Sequence, residues 1–282
     1  MTTHLSRRQF LHGAAAGTML AFVDMLDAAE PAAADLPLVD YHVHRDNTTV
    51  EKLLEISARR GVKFGIVEHA GTRENDYPII LSSDDELKSY LASLEGKPVY
   101  CGVQAEWIDW MSCFSKDAIA QLDYVLTDAM TIPGSDGRRV KMWTPQFDPG
   151  EPQRFMDRYV AWHEEIIATE PIDILANVCF LPSGLVPQHD DLWTAPRAQK
   201  VIDAAVKHNV AIEINSQYKL PRPAFLRLAK EAGAKFSFGS NIRGPNVGML
   251  DYCLEMAREL GLTQSDLFTP APPGKKPIQL RG

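Results

Sequence analysis

Several features that would assign this chain to a simple class are missing from its sequence. No apolar run reaches the roughly 18–20 residues of a membrane-spanning helix, so no membrane span is predicted. The four cysteines include no CxxC pair, and their spacing selects no disulfide partner. Lys and Arg number 29 against 37 Asp and Glu, which gives a formal net charge of −8. Such an acidic chain is a poor candidate for binding a nucleic-acid backbone, which requires clustered basic residues.

Common catalytic and nucleotide-binding motifs are missing as well. There is no G-x-S-x-G turn, no G-x-G-x-x-G loop and no phosphate-binding P-loop. His163, His189 and His208 lie in helical or loop contexts without a nearby nucleophile pattern, so Ser/His/Asp catalysis is not supported. No internal repeat or low-complexity segment is present.

The N-terminal segment has the pattern of an export signal. Ser6-Arg7-Arg8-Gln9-Phe10-Leu11 matches the twin-arginine motif, and Ala32-Ala33-Ala34 offers an A-x-A cleavage site. We therefore predict that residues 1–34 are a twin-arginine signal peptide and that the mature protein is periplasmic or extracellular. The alternative is an ordinary N-terminal helix.

From Leu36 onward, short apolar runs alternate with longer helical patterns. Seven such units predict an α/β fold with a parallel sheet and crossover helices, closed into a single-domain, distorted (β/α)7 TIM-like barrel. An open doubly wound sheet is the alternative. The barrel is predicted to occupy residues 35–268, and the Pro-rich stretch that follows predicts an extended tail over residues 269–282. The long connection 131–151 contains a predicted hairpin turn and is either a lid or a surface insertion.

Polar side chains fall at the carboxyl ends of the predicted strands, where parallel α/β folds bind ligands. His42 and His44 are two residues apart on one strand, so both point to the same face. Further strand ends carry Glu68 and His69, Glu106, Asp128, Asn177, Glu213 and Asn215, and Ser240 and Asn241. Imidazole and carboxylate groups suit Zn, Mn or Fe, so this convergence favours a divalent metal site.

These motifs resemble those of the PHP (polymerase and histidinol phosphatase) family. Asp40-Tyr41-His42-Val43-His44 is similar to its first motif, Val67-Glu68-His69-Ala70 to its second, and Gly102-Val103-Gln104-Ala105-Glu106 to its third. Asp173-Ile174-Leu175-Ala176-Asn177 and Gly239-Ser240-Asn241-Ile242-Arg243 are similar to two later strands. The resemblance covers Leu36 to about Leu260, and it implies a distorted seven-stranded β/α barrel with a two- or three-metal site.

The resemblance implies metal ligation by His42, His44, His69 and Glu106. Met130, Asn177, Asn241 and Arg243 stand where the family usually has ligands, and Asp128 can substitute for the ligand missing at Met130. A reduced site of one or two ions is therefore expected. Arg243 cannot ligate a metal, because a guanidinium is permanently cationic, but it can clamp an anion.

The sequence thus favours an exported metal-dependent hydrolase, a phosphoesterase acting on a small anionic molecule. Asp128 and Arg243 are the predicted catalytic residues, and Arg45, Asn177, Asn241 and Arg243 the predicted substrate-binding residues. Two alternatives stay open: a non-catalytic barrel that binds a small anion or sugar, and an amidohydrolase-like enzyme acting on a lactone or amide. The oligomeric state cannot be predicted.

Overall fold

The structure, a computed structural model, describes residues 36–46 and 48–282. The twin-arginine motif and its cleavage site lie outside the described residues. The strands are β1 (Val39–His44), β2 (Lys63–Ala70), β3 (Ile80–Leu81), β4 (Tyr100–Ala105), β5 (Tyr124–Asp128), β6 (Thr131–Pro133), β7 (Arg139–Lys141), β8 (Ile174–Ala176), β9 (Ala211–Asn215) and β10 (Phe236–Gly239). The helices are α1 (Val50–Arg60), α2 (Asp84–Leu94), α3 (Lys116–Ile119), α4 (Pro152–Thr169), α5 (His189–Leu192), α6 (Ala195–His208), α7 (Pro223–Glu231), α8 (Asp251–Glu259) and α9 (Pro277–Arg281).

Local sequence signals explain where the helices begin and end. The Thr49 side chain accepts a hydrogen bond from the Lys52 amide at the start of α1, and Gly61 ends that helix with a φ of 64°. Proline occupies the first turn of α4, α6 and α7, where its missing N–H costs nothing. None of the helices among the described residues is long and apolar enough to cross a membrane.

Seven parallel strands close into a barrel. Their order around it is β1-β10-β9-β8-β5-β4-β2, and β2 returns to β1. The short β3 adds to the end of β2. Apolar faces of the helices cover the outside of the barrel, where most buried hydrophobic residues form one large cluster. The predicted closed α/β barrel is confirmed, and the open doubly wound sheet is excluded.

A break in strand register at β1 sets up the functional end of the barrel. The pairing of β1 with β2 shifts between Asp40 and Val43, as at a β-bulge. Tyr41 therefore packs against Tyr124 inside the barrel, with ring centroids 5.2 Å apart. The next residue, His42, also forms hydrogen bonds with side chains of other barrel strands. A regular strand would send these consecutive side chains to opposite faces.

Two segments lie outside the barrel strands. The long connection after β5 contains the predicted hairpin, formed by the antiparallel pair β6 and β7. The C-terminal segment departs from the extended tail expected for 269–282, because it includes α9 and buries Ile278. Lys276 donates to the carbonyls of Ala120 and Leu122, and Arg281 donates to those of Ile167 and Ile172. These contacts order a stretch whose composition alone favours an extended chain.

Candidate active site

The predicted site residues lie together at the carboxyl end of the barrel. They occupy the ends of β1, β2 and β5 or the residues that directly follow β1, β4, β8 and β10, and they are His42, His44, Arg45, His69, Glu106, Asp128, Asn177, Asn241 and Arg243. Most are buried, and hydrogen bonds connect many of them into one network. Their individual catalytic and ligand roles stay predictions.

His42 is held between two side chains from different strands. Its Nδ1 lies 2.6 Å from Oε1 of Glu213, and its Nε2 lies 3.1 Å from Oε1 of Gln104. Gln104 donates its own amide hydrogen to Asp128, so its oxygen faces His42 and the imidazole must donate from both nitrogens. Burial alone lowers the pKa of His42, but the Glu213 charge and hydrogen bond outweigh it and raise the pKa. This arrangement therefore favours the protonated form of His42.

His44 is in the opposite state. Its side chain is 2% exposed, and neither ring nitrogen has a hydrogen-bond partner among the described residues. Burial, followed by the neighbouring His69 and His42 charges, lowers the pKa of His44 well below its usual value. The ring is therefore neutral at physiological pH. A buried imidazole without hydrogen-bond partners costs free energy, and a bound metal ion would offset that cost.

His69 is the middle ring of a three-ring stack. Its centroid is 4.6 Å from that of His44, with an interplanar angle of 20°, and 3.7 Å from that of Tyr77, with an interplanar angle of 8°. Nδ1 of His69 lies 2.6 Å from Oε1 of Glu106. Burial, followed by the Glu106 charge, raises the pKa of Tyr77, so its phenol stays protonated. Tyr77 therefore covers the face of His69 that is opposite His44.

Asp128 is a partly buried carboxylate that accepts three hydrogen bonds. The donors are the backbone amide of Met130 at 2.9 Å, Nδ2 of Asn177 at 3.0 Å and Nε2 of Gln104 at 3.3 Å. Burial and the nearby Glu106 charge raise the pKa of Asp128 to about 6. A carboxyl that titrates close to neutral pH is suited to proton transfer, and its three donors fix its orientation.

Asparagine amides fill the space between Glu213 and Arg243. Nδ2 of Asn215 donates to Oδ1 of Asn177 and to Oε2 of Glu213, both at 3.0 Å. Asn241 donates to the same Asn177 oxygen at 3.3 Å, and its own side-chain oxygen accepts from Arg243 at 2.7 Å. Neutral amides therefore complete this half of the site where the family motif would supply charged or imidazole ligands.

Two arginines stand at the barrel mouth, each paired with a carboxylate. Arg243 donates Nε–H to Oδ2 of Asp46 at 2.7 Å, and Arg45 forms an ion pair with the buried Glu68. A cavity of about 810 Å³ opens beside them, and its wall also includes His69 and Tyr77. The cavity is lined by the cations Arg45, Lys52, Arg59 and Arg243, whereas Asp46 is the one carboxylate among its lining residues. Such a concentration of positive charge in a cleft attracts anions.

Backbone strain accumulates around the same mouth. Asp46, Trp107, Asn177 and Asn241 follow strands that carry site residues, and all four have positive φ angles, from 42° to 69°. Asn and Asp tolerate this region, but a tryptophan there is unusual. Strained residues of this kind cost of order 1–3 kcal/mol each and cluster at functional sites.

The hairpin braces the loop that carries Tyr77. Arg139 donates to Oδ1 of Asn75 and to the hydroxyl of Thr72, both at 2.8 Å. Lys141 donates to the Asn75 carbonyl at 2.7 Å, and its ammonium lies 4.7 Å from the Tyr77 ring centroid. The long insertion therefore supports the cover over His69, which links it to the site.

The donor set was compared with the needs of a divalent ion. Three imidazoles lie in a row, 5.1 and 4.6 Å apart between centroids, beside the carboxylates of Glu106 and Asp128. The partnerless nitrogens of His44 fit a metal ligand, and the carboxylate on Nδ1 of His42 is the usual second partner of a ligating histidine. Within 36–46 and 48–282, however, no three His, Cys, Asp or Glu side chains already converge on one point. The chemistry fits one ion, whereas a preformed cluster is not present there.

Gln104 and Tyr77 were not predicted at this site, and Glu213 was named as a polar strand-end residue without a predicted role. Gln104 is two residues before Glu106, so strand periodicity places both on the same face and could have identified it. Tyr77 comes from the irregular segment after β2, and no pattern in the sequence points to its stacking on His69.

Comparison with known proteins supports the fold. No protein-family model matches the chain, and no curated protein matches it in sequence. The crystal structure of histidinol phosphate phosphatase from Lactococcus lactis subsp. lactis Il1403, complexed with zinc, L-histidinol and phosphate, is similar with a TM-score of 0.55. The similarity covers 86% of this chain and 98% of that chain, at 14% sequence identity. This similarity confirms the predicted α/β barrel fold.

Proposed function

We propose that this protein is a metal-dependent hydrolase of the phosphoesterase type, acting on a small anionic substrate at the barrel mouth. The observation that carries the proposal is the cationic cavity beside His69, with four basic side chains and one carboxylate in its wall. Binding a phosphate or carboxylate requires such clustered donors. The structurally similar protein is a phosphatase complexed with zinc and phosphate, which supports the same reaction class here.

A metal ion at this site would be held by His44 first, together with His69 and Glu106, which leaves Asp128 free for proton transfer. His42 joins this set only after it gives up the Nε2 proton that it donates to Gln104. A bound divalent ion supplies Lewis-acid polarisation of the ester and activates water near neutral pH. Around it, Arg243 and Arg45 orient the anionic group of the substrate. Asp128 holds or releases a proton near pH 6, as its raised pKa allows.

One observation favours a second candidate, a barrel that binds an anion without hydrolysing it. Asn177 and Asn241 stand at two positions where the resemblance implies metal ligands, and Asn177 accepts hydrogen bonds from Asn215 and Asn241. Such a protein would bind anions in the cationic cavity but would not hydrolyse them. A hydrolase acting on lactones or amides is the third candidate, because metal-activated water serves those substrates as well.

The deciding experiment is hydrolysis by mature protein loaded with Zn, Mn or Fe and assayed on p-nitrophenyl phosphate, a lactone and an anilide. We expect metal-dependent turnover of the phosphate ester that chelator removes. Lactone turnover alone would favour the third candidate. Phosphate binding without turnover under any metal would favour the second, and the hydrolase proposal would be abandoned.

Arg243→Ala is expected to weaken phosphate binding by about 10- to 100-fold, the scale of a lost charge-assisted hydrogen bond. Inhibition of p-nitrophenyl phosphate turnover by inorganic phosphate measures this change. Arg73→Ala is the matched control, because Arg73 also pairs with a carboxylate, Glu86, but lies outside the cavity lining. Equal phosphate inhibition of wild type and Arg243→Ala would remove Arg243 from the anion site.

We further propose that the twin-arginine motif exports the protein, with residues 1–34 removed. The support is the sequence pattern around Arg7 and Arg8. Replacing both arginines with lysine should hold the precursor in the cytoplasm, which cell fractionation measures. Undiminished periplasmic accumulation of that variant would refute the proposal.

A further inference from the structure

The cationic cavity extends from the barrel mouth along helix α1. At the mouth it is lined by Arg45, His69, Tyr77 and Arg243, and on the helix by Lys52, Ile56 and Arg59. The three helix residues are spaced i, i+4 and i+7, so they share one face of α1. Lys52 and Arg59 are two turns apart, about 10 Å along the helix axis. The cavity therefore has a second positive region away from the barrel mouth.

The basic side chains at the barrel mouth and those on α1 differ in how strongly they are paired with carboxylates. At the mouth, Arg45 and Arg243 are already paired with Glu68 and Asp46. On α1, Lys52 pairs with Glu55 through side chains that are 57% and 65% exposed, and such exposed pairs are weak. Arg59 takes part in none of the ion pairs formed between described residues. The exposed carboxylate of Glu55, whose charge also acts on Arg59, offsets the positive charge of the helix region only weakly.

The size of the cavity also exceeds what one anion needs. At about 810 Å³ it falls within the range of roughly 300–1,000 Å³ that holds whole organic ligands. Apolar side chains of Ile56, Pro78 and Pro245 line it together with the cations. A ligand that fills this space therefore has an apolar or neutral body as well as anionic ends.

We propose that the substrate class of this site is a small organic molecule with two separated anionic groups, one bound at Arg45 and Arg243 and the other at Lys52 and Arg59. This inference rests on the anion-binding part of the proposed function and extends it. Phosphate and carboxylate ends share the recognition chemistry, since both accept hydrogen bonds from cationic donors. A single-ended phosphate would leave the helix cations unused.

The test is calorimetric binding of two ligands whose C–P bonds a phosphoesterase does not cleave, hexane-1,6-bisphosphonate and hexylphosphonate. The mature protein, with its metal as purified, is expected to bind the bisphosphonate at least about tenfold more tightly, one factor of ten per 1.4 kcal/mol. The double variant Lys52→Gln, Arg59→Gln should reduce this ratio to about twofold or less. Hexane-1,6-dicarboxylate then shows whether carboxylate ends serve as well as phosphonate ends.

The matched control is the double variant Lys88→Gln, Arg138→Gln. It removes the same two positive charges, and Lys88 also sits in an exposed i,i+3 pair, with Asp85, outside the cavity. This variant should keep the wild-type ratio. Equal affinity of wild type for both ligands, or an equal loss of preference in the control, would overturn the two-ended site. If the preference appears but no ester is hydrolysed with any metal, the inference stands and the hydrolase proposal fails. If an ester is hydrolysed but the bisphosphonate is not preferred, the hydrolase proposal stands and the two-ended site is overturned.

Discussion

His44→Phe is expected to lower metal-dependent hydrolysis by about 10³-fold or more, the cost of losing a group that acts through the metal. The same substitution is expected to raise the free energy of unfolding in chelator by about 1–3 kcal/mol, the penalty of an unpaired buried polar group. The reason for both effects is the same pair of partnerless ring nitrogens. Phenylalanine keeps the flat ring that stacks on His69. Urea denaturation and steady-state kinetics measure the two changes.

A second buried histidine provides the control. His163 is 1% exposed, and its Nδ1 lies 2.8 Å from the Tyr159 carbonyl within α4. His163→Phe should therefore lose about 0.5–1.5 kcal/mol of stability, the net value of one hydrogen bond, and keep its activity. Added zinc should stabilise the wild type and the His163 variant but not His44→Phe, because a ligand stabilises only the state that binds it. An active His44→Phe protein would exclude His44 as a metal ligand.

Glu213→Ala is expected to destabilise the protein by about 3–5 kcal/mol, the cost of removing one partner of a buried ion pair. The carboxylate holds three groups at once: Nδ1 of His42, the backbone amide of Asn177 at 2.9 Å and the side chain of Asn215. It also packs so closely on Gly239 that a Cβ there would overlap it. The His42 nitrogen and the Asn177 amide would be left buried without an acceptor, whereas Asn215 would keep its hydrogen bond to Asn177. Urea denaturation at neutral pH measures the loss.

Glu213→Gln separates charge from shape, because the amide keeps one oxygen acceptor in the same place. Glu213→Gln should therefore lower the free energy of unfolding by less than Glu213→Ala does. Burial alone would raise the pKa of Glu213, but the His42 charge lowers it, while Glu213 raises that of His42. The advantage of wild type over Glu213→Gln should therefore shrink as pH rises through the elevated pKa of His42, and again as pH falls through the depressed pKa of Glu213. A loss below about 1 kcal/mol in Glu213→Ala would show that the pair contributes little.

The sequence predicts that the side chains of the candidate site lie together because two patterns are visible without a structure. Strand–helix alternation defines the barrel, and the polar residues that end its strands, such as His42, Glu106 and Asp128, must then meet at one end. The same reasoning could not assign states to them. His42 and His44 share a strand and a motif, yet one is a doubly hydrogen-bonded ring whose protonated form is favoured and the other a partnerless neutral ring.

The difference depends on contacts that are remote in sequence. Glu213 is 171 residues from His42, and no local pattern joins them. Tyr77 stacks on His69 from an irregular loop. Lys141 supports that loop through a cation–π contact with the Tyr77 ring, and sequence periodicity does not encode such a contact. The C-terminal segment shows the same limit. Its Pro-rich composition favours an extended chain, but Lys276 donates to carbonyls just after α3, and Arg281 donates to carbonyls in α4 and just after it. Composition predicts how the isolated segment behaves, but the carbonyl acceptors that order it belong to the folded barrel.

The pairing of β1 with β10 has a consequence for synthesis on the ribosome. The carboxylate of Asp40 accepts a hydrogen bond from the Ser240 amide, 200 residues later in the chain. At about 5–20 residues per second, those residues take roughly 10–40 seconds to translate. During that time the strand that bears His42 and His44 has an open edge, which is a template for wrong pairing. A nascent chain interrupted before Phe236 would therefore carry the histidines without the closed ring that holds them.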